Sequence, residues 1–216
     1  MTDVDVVIVN YKSAAHTVKC VDAVLAVARQ DGVTAQVVVV NNGDDIKGFE
    51  AEVHGAGDAK VVMNPANFGF GAASNIGARL GTAPFILFLN PDAQLYPGSL
   101  RAFTSFLNAP NNAGVGIAGP EIRDMSGSVV PSCSRLPSRL DLIARSIGLH
   151  TLPRAGAGYP YTSLDEHAQS HAVGQVMGAA LMIRRPLYEQ LQGFDERFFL
   201  YYEDVDISAR ALMLGM

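Results

Sequence analysis

Two acidic positions in this sequence stand where chemistry could be done. The first follows Phe85-Ile86-Leu87-Phe88-Leu89, an apolar run without alternation, which suits a strand buried on both faces. Proline cannot donate to a sheet ladder, so Asn90-Pro91 takes the chain out of the sheet, and Asp92 is the first carboxylate beyond it. Ligands bind at that edge of open α/β sheets. One carboxylate plus substrate phosphates is a common way to hold magnesium or manganese. Asp after Pro is also good turn chemistry, and on this stretch alone Asp92 reads first as a turn residue. The second position lies in Gly193-Phe194-Asp195-Glu196-Arg197-Phe198-Phe199-Leu200-Tyr201-Tyr202-Glu203-Asp204-Val205-Asp206. Acids at a helix start interact favourably with its dipole, and Asp206 with Arg210 at i, i+4 reads as an ordinary solvated pair. Glu203 and Asp204 point elsewhere, beside aromatics that suit either a sugar-binding wall or core. A partly buried carboxylate there could accept a proton from a hydroxyl.

The elements that must position these acids alternate along the chain. Val4 to Val9 reads as a strand ending at Asn10-Tyr11, and Ser13 as the cap of a helix whose apolar positions recur through Ala28. Val37 to Val40 is a second strand, ending in Asn41-Asn42-Gly43-Asp44-Asp45, and Val61 to Met63 a third. Phe68 to Gly77 leads into a helix through Leu80, and Phe85 to Leu89 is the fourth strand. This order argues a parallel sheet with right-handed crossovers. Every strand hands over to Asn, Asp or Gly at the same edge, which is the main clue to a site there. Further on, Pro97 and Ser99 open a helix through Leu107, and Gly114 to Gly119 looks like a strand. Asp124 to Gly127 suits a hairpin turn, and Val173 to Ile183 resumes the sheet. Residues 132–170 hold one candidate helix, Leu140 to Ile147, in a long loop that suits a lid or acceptor-facing segment.

Composition narrows the classes. The chain has 216 residues, 49% of them hydrophobic, which suits one domain with one core. A net charge of -5, with both signs spread along the chain, gives no footprint for nucleic acid. No apolar run reaches membrane-spanning length, and the acidic N-terminus does not resemble a signal peptide. Cys20 and Cys133 lie far apart without a partner motif, which predicts reduced thiols in a cytosolic protein.

The motifs in order resemble a known family. They are Asn10-Tyr11, Asn41-Asn42-Gly43-Asp44, Asn67-x-Gly69-Phe70-Gly71-x-x-x-Asn75-x-Gly77, Leu89-Asn90-Pro91-Asp92-Ala93, Gly178 to Arg185, Gly193 to Glu196, and Phe199-x-Tyr201-x-Glu203-Asp204-Val205-Asp206. Together they are similar to family 2 inverting glycosyltransferases, and within that family to bacterial rhamnosyltransferases that use a dTDP-sugar. The match runs over nearly the whole chain and is weakest at 132–170.

The resemblance implies a GT-A fold, a Rossmann-like, mostly parallel α/β sheet flanked by helices. One domain over 1–216 would have a donor-binding half at about 1–120 and an acceptor and catalytic half at about 121–216. It also implies a dTDP- or UDP-sugar donor, L-rhamnose being the best guess for the sugar. The acceptor would be a cell-wall or lipid-linked glycan, reached by a cytoplasmic protein in peripheral contact with the inner face of the membrane. A divalent cation, Mg2+ or Mn2+, would sit on Asp92, which matches the last acid of the family's Asp-x-Asp motif, with Asn90 in place of the first. Asp204 matches the catalytic base, with Asp195 and Glu203 on the acceptor side. Asn10, Tyr11 and Asn41 match positions near the nucleotide, and Asn67, Gly71 and Asn75 the segment that closes over the donor. Where this chain has Asn41 the family usually has Asp. The resemblance further leads one to expect a strand and a metal-reaching histidine beyond Met216, so the chain reads as C-terminally truncated. None of His16, His54, His150, His167 or His171 takes that histidine's place.

Three rivals remain. Gly69-x-Gly71-x-x-Ser74 brushes against the dinucleotide fingerprint, but the third glycine is missing and the motif does not follow its strand directly. His167-x-x-x-His171 has the spacing of two zinc ligands without the metalloprotease Glu or further ligands. A domain that binds a nucleotide sugar without turning it over, or a structural module, is the third, because fold alone never establishes activity.

Overall fold

The computed structural model describes residues 2–43, 47–138 and 170–216. The first strand, β1 (Val4–Asn10), is buried along its whole length. Helix α1 (Ala14–Asp31) follows, then β2 (Ala35–Asn42), α2 (Phe49–Ala56), β3 (Ala59–Asn64), α3 (Phe70–Ala78) and β4 (Phe85–Leu89). Beyond α4 (Ser99–Asn108) come β5 (Ile117–Ala118), β6 (Ile122–Arg123), β7 (Val129–Val130) and β8 (Cys133–Ser134). The C-terminal part holds β9 (Gln175–Val176), β10 (Ala180–Arg184), α5 (Arg185–Gln190) and α6 (Glu203–Met213).

Six strands form the main sheet in the order β3-β2-β1-β4-β10-β5. The pairs β1–β2, β1–β4 and β2–β3 are parallel, whereas β10 is antiparallel to both β4 and β5. The C-terminal ends of β1 to β4 therefore share one edge. Ala180, at the start of β10, joins that edge opposite Leu89.

Alternation along the strands divides the core into two layers. Val4, Val6 and Ile8 of β1 pack with α1, α2 and α4 residues on one face. Val7, Ile86, Phe88, Leu181 and Ile183 pack on the other with Tyr188, Phe194, Ile207 and Ala211. Burial on both faces explains why the strands read as continuous apolar runs. Gly32, at φ +66°, ends α1 in the left-handed conformation that helix C-termini favour, and the Val33 N–H bonds back to Ala28 O. Asp31 reaches across to α4, where its carboxylate accepts the N–H groups of Gly98 and Arg101. Those are orphan donors that a helix start leaves unpaired.

Several expectations need correction. Helix α2 was not expected, and the segment Val173 to Ile183 is two strands rather than one. β9 pairs with β8, and Met177 to Ala179 break away before β10 because their backbone groups bond elsewhere. The strand expected at Gly114 to Gly119 is only two residues long. Ser13 makes no capping bond to α1, and its hydroxyl donates to Asn10 instead. The hairpin at Asp124 forms as expected, between β6 and β7. The candidate helix at 140–147, Asp44 and Asp45, His150, His167 and most of the expected lid lie outside the described residues.

Candidate active site

Residues at the C-terminal ends of β1, β2 and β3 form a lattice of side-chain amides. Asn10 and Asn41 face each other in register, and Asn10 Nδ2 donates to Asn41 Oδ1 at 2.7 Å. Asn10 Oδ1 accepts the hydroxyls of Ser13 and Thr17, and Asn41 Nδ2 donates to Met63 Sδ. Both amides are fully buried, so neither side chain stands open to a ligand. They brace the edge, while Tyr11, beside them, is 43% exposed. Asn42, not singled out from the sequence, holds the next loop. It donates to Asn67 Oδ1 and Gly69 O and accepts from Asn64 Nδ2 and the Phe68 N–H. Its four bonds use the full capacity of a side-chain amide. The signal for it was present, since each of these strands ends in Asn.

Asn67 also accepts the Gly69 N–H, which fixes the entry to α3. Gly69 has φ +86°, and a β-carbon there would collide with the backbone of Phe199. Only glycine suits that position. The Phe70 N–H donates to Phe199 O, so the start of α3 and the chain before α6 form one corner. Gly71 continues the close approach, its hypothetical β-carbon falling 3.2 Å from Phe194 Cβ. Asn75 lies on the same helix. Its Nδ2 donates to Phe194 O and Glu196 Oε1, and its Oδ1 accepts from Tyr188 Oη and the Phe194 N–H. All its bonding capacity is turned toward the 188–196 segment, so Asn75 positions that turn.

At the end of β4 the Asn90 N–H donates to Ala179 O at 2.9 Å. Asp92 is exposed two residues on. Behind it, Cys20 on α1 points its thiol toward Asn90 O. Burial first, and the negative charge of Asp92 second, push the Cys20 thiol up to about 12, so it stays protonated at neutral pH. Cys20 and Cys133 are both thiols in this structure. Among the described residues no three His, Cys, Asp or Glu side chains come together as a metal cage. Asp92 is the exposed carboxylate at this edge that could join a bound diphosphate in holding a hard divalent cation, a pattern typical of magnesium.

Across Gly178-Ala179 from Asn90 stands the start of α6. The Gly178 N–H donates to Asp204 Oδ2 at 2.9 Å, and the Val205 N–H donates to Oδ1 at 2.8 Å. Gly178 is adjacent to Ala179, so the turn before β10 ties both the Asn90–Asp92 loop and Asp204 to one place. Asp204 is half-buried and makes no ion pair among the described residues. Glu203 beside it is buried. Asp195 is bound at both oxygens by the Arg197 guanidinium, which lowers its pKa to about 2 and commits it locally. Asp206 pairs with Arg210 as expected, but the pair is more than solvated decoration. Arg210 also donates to Leu191 O and Gly193 O and fastens α6 to the turn that Asn75 holds.

Comparison with known proteins gives the family and the fold. The model of glycosyl transferase family 2 matches residues 5–190. An N-acetylglucosaminyl-diphospho-decaprenol L-rhamnosyltransferase of Mycobacterium tuberculosis is 33% identical, over 97% of this chain and 71% of its own length. A low-salt glycan biosynthesis hexosyltransferase of Haloferax volcanii is 27% identical, over 98% of this chain and 62% of its own. Among solved structures, the mannosyltransferase PcManGT of Pyrobaculum calidifontis, in complex with GDP-Man and Mn2+, superposes with a TM-score of 0.64 at 19% identity. TarS of S. aureus in complex with UDP does so at 0.62 and 14% identity. This chain covers 55% of each of those two structures. The fold is the GT-A fold expected from the sequence, and the chain belongs to glycosyl transferase family 2.

Proposed function

We propose that this chain carries the donor site and the catalytic base of an inverting glycosyltransferase. It moves a hexosyl group, L-rhamnose from dTDP-L-rhamnose, to a hydroxyl of a lipid-linked or cell-wall glycan. The observation that carries this reading is the juxtaposition at residues 178–179, where a half-buried Asp204 without a cationic partner meets the loop bearing Asp92. The M. tuberculosis relative's name supports the sugar and the acceptor class.

Residues 1–120 hold the donor and 121–216 present the acceptor. The Asn10–Asn41 pair and the Asn42–Asn67 lattice keep the edge rigid, and Tyr11, Asn90 and the start of α3 at Gly71 border the nucleotide. Asp204 takes the proton from the acceptor hydroxyl as its oxygen attacks the anomeric carbon. The bond to the diphosphate oxygen breaks on the opposite face, and the nucleoside diphosphate leaves with the electron pair. A divalent cation on Asp92 would neutralise charge on that leaving group. Positioned base catalysis is typically worth about 10²–10⁴-fold, and holding the reactants in line several orders more. No helix among the described residues is long and apolar enough to cross a membrane. In this reading the chain works at the inner face of the membrane that carries the lipid-linked acceptor.

The test is transfer from dTDP-L-rhamnose to an N-acetylglucosaminyl-diphospholipid, with the anomeric configuration of the product read by NMR. Inverted product that Asp204→Asn fails to make supports the reading. Tight donor binding with no product from the wild type would favour an inactive, nucleotide-sugar-binding domain.

A further inference from the structure

The first turn of α6 carries a carboxylate that the fold hides. Glu203 is 7% exposed, and its Oε2 is buried with no hydrogen-bond partner. It packs against the bare backbone of Gly71, where a β-carbon would lie 3.8 Å from Glu203 Cβ. The chain enters this position under strain, with Tyr201 and Tyr202 both at φ +68°. Residues with a β-carbon rarely adopt that region, and it persists where surrounding structure demands it.

No cation faces this carboxylate among the described residues. α3 carries no titratable side chain. In the segment before α6, Asp195 and Arg197 pair with each other and Glu196 is held by Asn75. On α6 itself, Asp206 is paired with Arg210. Desolvation raises the Glu203 pKa, its own backbone N–H pulls the other way, and the like charge of Asp204 raises it again. An ionised carboxylate buried without a partner is far costlier than its neutral acid, and a helix dipole returns only part of the difference.

We propose that Glu203 is a positioning residue: held as a neutral acid, it seats the α6 N-terminus against Gly71 and Phe194, so that Asp204 keeps its bond to the Gly178 N–H. This deepens the transferase reading and rests on Asp204 being the base. When Glu203 ionises, a second charge appears beside Asp204 and the packed turn loosens. Transfer then slows as pH rises.

Two measurements on wild type and Glu203→Gln test this. The first is thermal unfolding against pH. A raised pKa in the folded state gives stability that is complete below the ordinary value of 4.5 and lost as pH rises through the raised value. Wild type and Glu203→Gln should therefore run parallel at acid pH, with the wild type falling behind by roughly 2–4 °C on the alkaline side. A constant gap at every pH would overturn the neutral acid. The second is the pH profile of transfer. Glu203→Gln should extend the alkaline plateau without changing nucleotide Kd, and profiles that coincide would overturn the positioning role. Should Glu203→Gln fail to fold, Glu203→Met, of similar length, must show the same loss of pH dependence. Absence of turnover by the wild type at any pH would instead count against the transferase reading, while the unfolding curves judge Glu203 by themselves.

Discussion

The two sides of the sheet edge solve opposite problems. On the side of β1 to β3 the buried polar side chains that end the strands are neutral amides, bonded in two sets, Asn10 and Asn41 with Ser13 and Thr17, and Asn42 with Asn64 and Asn67. On the side of β10 and α6 the polar groups are carboxylates. Asp195 and Asp206 are tied to arginines and Glu196 to Asn75, Asp204 is held only by backbone N–H groups, and Glu203 has an oxygen with no partner. Satisfied buried networks rigidify, whereas unsatisfied groups mark places where chemistry or strain is kept. The first side is built to hold a shape, and the second keeps the carboxylates that the proposed transfer would use.

That contrast can be broken from either side, and the largest effect should come from the reactive one. Asp204→Asn should lower kcat by about 10²–10⁴-fold while leaving nucleotide Kd within about twofold, because only the proton acceptor is lost. A matched loss in binding would mean that Asp204 belongs to the donor side. Asn42→Ala should act in the reverse sense. It strands four partners, two of them buried, and should cost about 2–4 kcal/mol in urea unfolding, with donor affinity falling as the 64–69 loop loosens. Tyr201→Gly sharpens the comparison further. Tyr201 is 72% exposed at φ +68°, so glycine should relieve strain and stabilise the fold by about 1 kcal/mol. Transfer should nevertheless fall, because the strained turn sets the direction of Glu203 and Asp204. The smallest effect belongs to Asp195. Its lowered pKa gives stability present above its ordinary value of 3.8 and lost as pH falls through about 2. Arg197→Ala should return the Asp195 carboxyl titration, followed by NMR, toward 3.8, with neutral-pH activity unchanged.

What could be read from the sequence follows the same division. The strands were legible because burial on both faces leaves unbroken apolar runs, as in Phe85 to Leu89. The acids proposed to react, Asp92 and Asp204, could be singled out because they follow a strand and an aromatic run at fixed places in an ordered set of motifs. α2 was missed because it buries only Phe49 and Val53, too few apolar positions to establish a helical period. The amide lattice was invisible for a different reason. Asn10 and Asn41 look like turn formers singly, and only the register that places them opposite each other shows that they bond together and face away from solvent. Glu203 is the reverse case. Its place beside aromatics suits partial burial, but its packing against Gly71, more than a hundred positions away in sequence, shows only in the fold.

The most direct measurement is calorimetric titration of dTDP and UDP into the protein, with and without manganese, for wild type and Asp92→Ala. Binding that prefers one nucleotide, strengthens with manganese and loses that dependence in Asp92→Ala is the expected result. No binding of either nucleotide under any of these conditions would contradict a donor site at this edge.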